Sequence, residues 1–435
     1  MHSLEGAISP GDNHIILTIS RHMTDNKIEN PEIPISLKRQ SWLIKFHEGR
    51  HLHQLDDSVS KLVGFNPQQK LRVVHTYDAI PCGINCLVKE SRLRALQQHG
   101  IIESFEADDL MHITALPERK VLTPEDLQAL AAQPAGGFIF RVGANGSSQR
   151  AGDGTGSLAT RSDLNVFVID TGIASHPDLN IVGGADFTGS GGFGDGNGHG
   201  THVSGIIGAS DNVFGIVGVA PGVRLWAVKV LGANGSGSIS GILNGLNWIL
   251  TGRGTRWTGK AVINMSLGGG VSTTLDNAVA YTISQGIPVC VAAGNSSINA
   301  SNASPARVLT AITVGASGPN PGYTNLSTYS NYGSVVDIIA PGDRIYSTYL
   351  NSGYATLSGT SMATPVVTGA LILAMSVTTV PGTGSTYSQN ARNLIVNNSA
   401  PTKTTYRIGG SANNPRVIIP INKPATNISV WSGIY

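Results

Sequence analysis

The sequence predicts an α/β fold with a mostly parallel central sheet, preceded by a small α+β unit of order β-α-β-β-α-β. Three observations lead there. Of the 56 Asp, Glu, Lys and Arg residues, 31 fall within the first 133 of 435 positions, and no glutamate occurs after Glu125. A composition shift of that size marks two different units in one chain. From about Phe138 onward, short apolar runs alternate with helical patterns across loops rich in Gly, Ser and Asn. Strands apolar throughout, alternating with helices, are the pattern of a parallel sheet covered on both faces. Before position 114 the segments are more polar and follow the β-α-β-β-α-β order.

Residues 1–37 read as an irregular polar lead, and 38–113 as the small unit. There "SWLIKFHEG" is strand-like, and "HLHQLDDSVSKLVGF" repeats Leu52, Leu55, Val59, Leu62 and Val63 at helical spacing. "QKLRVVHTY" and "GINCLVK" read as strands, "ESRLRALQQHG" as a helix closed by Gly100, and "IIESFEADD" as a further strand. Residues 114–137 carry Pro117, Pro124, Pro134 and the pair Gly136-Gly137, and read as a linker around the short helix "PEDLQALAAQ". The large unit spans 138–421, with strands at "LNVFVID", "RLWAVKVL", "AVINMSL", "IPVCVAA", "LTAITVGA" and "VVDIIAPG". Its helices are "GTHVSGIIGAS", "SGILNGLNWILTG", "TTLDNAVAYTISQG" and the apolar run that follows "SGTSMATP". Pro365 is expected in the first turn of that last helix, where a missing N–H costs little. Residues 422–435 form a tail without an assigned role.

Charged residues make up 13% of the chain and the net charge is +2. That balance supports neither nucleic-acid binding nor a basic membrane-binding patch. Three cysteines make no disulfide framework. Cys290 reads as a buried hydrophobe, while Cys82 and Cys86 could be paired or free. The N-terminal stretch has no signal-peptide pattern and no membrane-spanning helix is expected; a start further upstream would make secretion the expectation.

Three segments each end a strand or open a helix on a reactive side chain. "VFVIDTGI" ends on Asp170, which could equally serve as a turn or cap residue. "GDGNGHGTHVSGIIGA" presents His199 at a helix start, with His202 one turn on and read as structural. "SGTSMATP" presents Ser361 at the mouth of an apolar helix, where a plain N-cap is the alternative reading. Together they supply a carboxylate, an imidazole and a hydroxyl. Serine attacks only as its proton leaves, an imidazole can take that proton near pH 7, and a carboxylate can orient the ring. An oxyanion would need donors. Asn295, directly after the strand "VCVAA", and the backbone N–H of Ser361 are the candidates.

In order along the chain, "VIDTGI" with "HPDL", "GHGTHVSG", "NMSLGG", "AAGN" and "GTSMATP" resemble the subtilisin-like serine proteases, the subtilase superfamily. The resemblance covers about 141–416. It implies the subtilisin-like three-layer fold and a serine endopeptidase with Asp170, His199 and Ser361 as triad and Asn295 as oxyanion donor. It also implies peptide-binding edges at Gly235, Ser236 and Gly237 and at Ser266, Leu267, Gly268 and Gly269, with Ala292, Ala293 and Gly294 walling the main specificity pocket. No cofactor is implied for the chemistry; a structural calcium is compatible with the family, without assignable ligands. Ser204 stands where many members have alanine, and Val366 where many have histidine. The small unit, with "GIIESFEADDLMHI", resembles the inhibitor-like propeptide found before many subtilases. The implied partners are protein or peptide substrates and the chain's own propeptide, with self-cleavage between about Ile113 and Gly137. Neither nucleic acid nor a membrane is an implied partner, and a monomer is expected. Apolar or aromatic residues are expected before the scissile bond.

Other chemistries fit less well. A metalloprotease would use HExxH, whereas "HGTH" has another spacing and the large unit has no glutamate. An α/β-hydrolase would place serine first, within GxSxG. The glycines of "GSGGFGDGNGHG" lack the strand–helix context of a nucleotide site. A catalytically silent binding module on the same scaffold is the alternative outside enzymes.

Overall fold

In a computed structural model, residues 40–46, 72–77, 79–80, 84–88, 90–98, 100, 102–116, 120–122, 157–318, 326–397, 400–401, 406–408, 411–413 and 416–417 are described. The lead 1–37, the helix expected over 51–65, most of the linker including its helix, and the tail 422–435 lie outside them. So does Cys82, whereas Cys86 and Cys290 are buried free thiols, each pushed up to about 12 by burial. The chain divides into two compact units, 1–108 and 109–435.

In the first unit, β1 (Gln40–Phe46), β2 (Arg72–Thr76), β3 (Ile84–Val88) and β4 (Ile102–Ala107) form an antiparallel sheet in the order β2-β3-β1-β4. Helix α1 (Glu90–Gln98) buries Leu93 and Leu96, three residues apart on one helical face. Leu43, Ile44, Ile80, Cys86 and Ile102 are also among the buried apolar residues of this unit.

The second unit opens with two strands that were not expected, formed by residues the sequence places in the small unit and the linker: β5 (Leu110–Ile113) and β6 (Lys120–Leu122). The boundary falls earlier than expected because β5 takes its backbone partners from the large unit. It lies antiparallel between β10 (Ser236–Ser238) and β12 (Leu267–Gly268), while β6 pairs with β17 (Tyr354–Leu357). A hairpin joins β16 (Ile345–Thr348) to β17.

The main sheet contains β7 (Leu164–Asp170), β8 (Ile181–Asp186), β9 (Arg224–Lys229), β11 (Lys260–Met265), β13 (Val289–Ala292), β14 (Ile312–Ser317) and β15 (Ile338–Pro341). All pair in parallel, in the order β15-β14-β13-β11-β7-β9-β8. Short strands β18 (Ala400–Pro401) and β21 (Arg416–Val417) extend the β15 edge, and β19 (Tyr406–Ile408) and β20 (Ser411–Asn413) make a separate hairpin. Every residue of β7, β13 and β14 is buried, as their unbroken apolar character requires of strands covered on both faces.

The covering helices are α2 (His199–Gly208), α3 (Ile239–Thr251), α4 (Thr273–Ser284), α5 (Thr360–Val377) and α6 (Gly384–Val396). Among the described residues α5 alone is long and apolar enough to cross a membrane, and most of it is buried in this core. Val366, Val367, Leu371 and Ile372 pack there with Val203, Ile206 and Ile207 of α2 and with Val166, Val168 and Val314 of the sheet.

From β7 the chain builds the sheet first on one side, through β9 and β8, and then on the other, from β11 outward. The carboxyl ends of β7 and β11 therefore flank the switch point, where crevices open in such sheets.

Candidate active site

Asp170 is the last residue of β7 and is fully buried. Its Oδ1 accepts from the Thr171 N–H at 2.7 Å and lies 2.7 Å from His199 Nδ1. Since a carboxylate only accepts, this contact puts the ring proton on Nδ1 and leaves Nε2 as the basic nitrogen. His199 Nε2 is buried without a hydrogen-bond partner among the described residues.

His199 is held by its own loop. Gly198, just before it, has φ 99°, and a Cβ there would lie 2.1 Å from the Tyr349 ring. Asp195 Oδ1 accepts from Thr171 Oγ1 and from the N–H groups of Asn197 and Gly198. Its Oδ2 accepts from Thr201 N and Thr201 Oγ1, capping α2 from outside the helix. Sequence reading missed Asp195; its signal was an acid four residues before a helix-opening histidine in a glycine loop.

Ser361 is the second residue of α5, whose N-cap, Gly359, offers no side-chain cap. Asn295 does that work instead, its Oδ1 accepting from Thr360 N and Thr360 Oγ1, both at 2.9 Å. These donors fix the amide so that its Nδ2 points the other way, donating to the Thr114 carbonyl at 2.6 Å. Ser361 N donates to the same carbonyl at 3.2 Å. A Cβ on Gly359, φ 152°, would sit 2.5 Å from that oxygen, so a glycine is needed there.

Pro365 lies in the second turn of α5, not the first as expected. Having no N–H, it leaves the Ser361 carbonyl without its helical donor. Ser266 Oγ fills the gap at 2.9 Å, and Ser361 Oγ donates back to Ser266 O at 3.0 Å. A buried relay from Thr368 Oγ1 to Asn264, and from Asn264 Nδ2 to Ser266 Oγ, orients that exchange. Ser361 Oγ is also 2.7 Å from Thr114 Oγ1. The structure thus joins Asp170 to His199 and seats Ser361 beside Asn295, while the serine hydroxyl is engaged by Ser266 and Thr114.

The expected edges hold residues 110–114. Ile113 N donates to Gly235 O at 3.0 Å, Thr114 N to Ser266 O at 3.3 Å, and the His112 ring meets Ser236 Oγ at 2.8 Å. Gly237 stands opposite Met111, while Leu267 and Gly268 stand opposite Ile113 and His112. Met111 is buried, and a Cβ on Gly269 would come within 2.6 Å of its sulfur. Ala292 and Ala293 are buried at the end of β13, and Gly294 N donates to Thr360 Oγ1. Asn331, unremarked in the sequence, braces this loop by donating to Ala293 O and accepting from the N–H groups of Ser296 and Ile298. Beyond Thr114 the chain continues unbroken, with Leu116 N donating to Ser358 O.

Calcium would need six to eight oxygen ligands. No group of three or more His, Cys, Asp or Glu side chains suited to a metal occurs among the described residues. Asp178, whose carboxyl is pushed up to about 6 by burial, already accepts from Asn212 Nδ2, Ile216 N and Tyr354 OH. These residues do not fit a calcium cage as arranged.

A family model described as the subtilase family matches residues 161–415. An alkaline protease of Alkalihalobacillus alcalophilus is 44% identical over 291 residues, covering 62% of this chain and 72% of that protein. Subtilisin Savinase of Lederbergia lenta is 50% identical over 216 residues, covering 49% and 77%. A cuticle-degrading protease of Metarhizium anisopliae is 34% identical over 357 residues, covering 81% and 84%. Among solved structures, a cold adapted subtilisin-like serine proteinase matches with a TM-score of 0.53 and 35% identity, over 64% of this chain and 97% of that one.

Proposed function

The chain belongs to the subtilase family and is a subtilisin-like serine endopeptidase, and from that premise we propose that it is a self-cutting precursor with Asp170, His199 and Ser361 as triad. The carrying observation is that one carbonyl, that of Thr114, receives both the Asn295 amide and the Ser361 N–H while Ser361 Oγ lies beside it. The bond to be cut is then Thr114–Ala115, inside the interval expected from the sequence.

In the reaction His199 Nε2 takes the Ser361 proton as Oγ attacks the carbonyl carbon, and Asp170 stabilises the imidazolium. Asn295 Nδ2 and Ser361 N hold the oxyanion. The C–N bond breaks as His199 passes its proton to the Ala115 nitrogen. Water, deprotonated by the same imidazole, then hydrolyses the ester and leaves Thr114 with a free carboxylate. The chemistry needs no cofactor. Residues 38–113 serve as the inhibitor-like propeptide, because after the cut the strand ending at Thr114 is still paired with both edges.

Asn295→Leu keeps the side chain's size and removes the donor, together with the oxygen that caps α5. The mature enzyme should lose about 10²–10³ in kcat with KM nearly kept, the scale established for the equivalent donor in subtilisin. Steady-state kinetics on a chromogenic peptide reads this; an unchanged kcat would remove Asn295 from the mechanism.

For other substrates, the edges read mainly backbone, so specificity is broad, and Ser266, Gly268, Asn295 and Ser361, which meet Thr114, carry no charge that would select a basic side chain. A peptide library cut by the mature fragment should favour apolar or aromatic residues before the bond. A dominant preference for Arg or Lys would overturn that reading.

A further inference from the structure

We infer that the Thr114 hydroxyl is a brake on the chain's own cleavage, holding the Ser361 oxygen away from His199 while the bond is otherwise loaded. This rests on Thr114–Ala115 being the bond cut. The carbonyl of that bond is already in place, since Asn295 Nδ2 and Ser361 N both donate to it. What is missing is the path of the serine proton. Ser361 Oγ carries one hydrogen, which it donates to Ser266 O at 3.0 Å. Its 2.7 Å contact with Thr114 Oγ1 is then donated by the threonine, into a serine lone pair. Attack requires the reverse arrangement, with the proton aimed at His199 Nε2 and a lone pair aimed at the carbonyl carbon. His199 Nε2 meanwhile has no partner among the described residues.

The two restraints on Ser361 differ in kind. Ser266 O belongs to the protease and meets every substrate. Thr114 Oγ1 belongs to the segment being cut and acts only on this bond. A residue of the same branched shape without the hydroxyl, valine, would fill the same space and free the serine lone pair. Serine at this position keeps the hydroxyl and keeps the brake. Because residue 114 leaves with the N-terminal fragment, the mature enzyme is the same molecule in every case.

The test is the rate of self-cleavage of the full chain, made by cell-free translation as wild type, Thr114→Val, Thr114→Ser and Thr114→Ala. Intact mass at timed intervals gives the fraction cut and its position. Thr114→Val should be cut about tenfold faster than wild type, the scale of one hydrogen bond lost from the ground state only. Thr114→Ser should stay near the wild-type rate, and Thr114→Ala should be faster than Thr114→Ser. Equal rates for Val and Ser, or a slower Val, would overturn the brake while leaving the protease reading intact. A cut at another bond in wild type would overturn it too. Should no variant be cut and the wild type fail to hydrolyse peptides, the proposed function itself falls. Activity of the released fragment on a peptide, equal for all four, checks that only the cleavage step has changed.

Discussion

Ser361→Ala should remain whole at 45.3 kDa, whereas the wild-type chain should separate into a fragment ending at Thr114 and one beginning at Ala115. The alanine keeps the Ser361 backbone N–H, the Asn295 amide and both edge strands, so the segment should still dock. What disappears is the oxygen proposed to attack. Losing a triad serine costs about 10⁶ in kcat in subtilisin, and a loss of that scale would turn minutes of self-cleavage into years. A fluorophosphonate probe should label wild type on the peptide containing Ser361 and leave the variant unlabelled. Hydrolysis of an added peptide should lag behind the cut, because the product strand still occupies both edges. If Ser361→Ala splits at the same bond and rate as wild type, Ser361 is not the nucleophile; if both stay whole and neither hydrolyses a peptide nor takes the probe, the silent-scaffold alternative leads.

Much of the candidate site was legible because its proposed residues sit at element ends. Asp170 closes an apolar strand, His199 and Ser361 open helices, and Asn295 follows a buried strand, so each announces itself by a change of local pattern. The parallel sheet was legible for the same reason: strands buried on both faces cannot afford polar alternation. The strand over 110–113 was not. Nothing local distinguishes "LMHI" after "FEADD" from one more strand of the small unit, and its partners lie more than 120 residues away, at Ser236 and beyond. Asp195, Asn331 and the Ser266–Ser361 exchange were hidden likewise, since each is defined by what a loop meets in space. Pro365 was misread by a turn. Its position is tolerable because Ser266, far away in sequence, satisfies the carbonyl that proline leaves free.

His202 should make the fold acid-sensitive. It lies one turn along α2 from His199 and is fully buried. Its Nε2 faces two carbonyls, Ile345 O at 3.1 Å and Ala355 O at 3.0 Å, which only accept, so the proton resides on Nε2. Nδ1 is buried without a partner among the described residues, and a second proton there would be a cation in an apolar interior beside His199. Burial accordingly pushes its pKa down to about 3 from 6.5. In the unfolded chain the ring charges below about 6.5, and in the fold it resists until about 3. Stability from His202 is therefore full above pH 6.5 and drains away as pH falls towards 3, by on the order of 5 kcal/mol in all. His202→Gln can still donate to both carbonyls but cannot charge. Urea unfolding of both proteins in the uncleavable Ser361→Ala background should show wild type losing ground to the glutamine variant through this window. Asp178, pushed up to about 6, acts with the opposite sign, gaining stability as pH falls, but it is common to both proteins and cancels in their difference. A difference that stays constant from pH 7 to pH 4 would mean that His202 takes its second proton as readily in the fold as in the unfolded chain, and that its two carbonyl contacts, rather than its neutrality, hold the β16–β17 hairpin to α2.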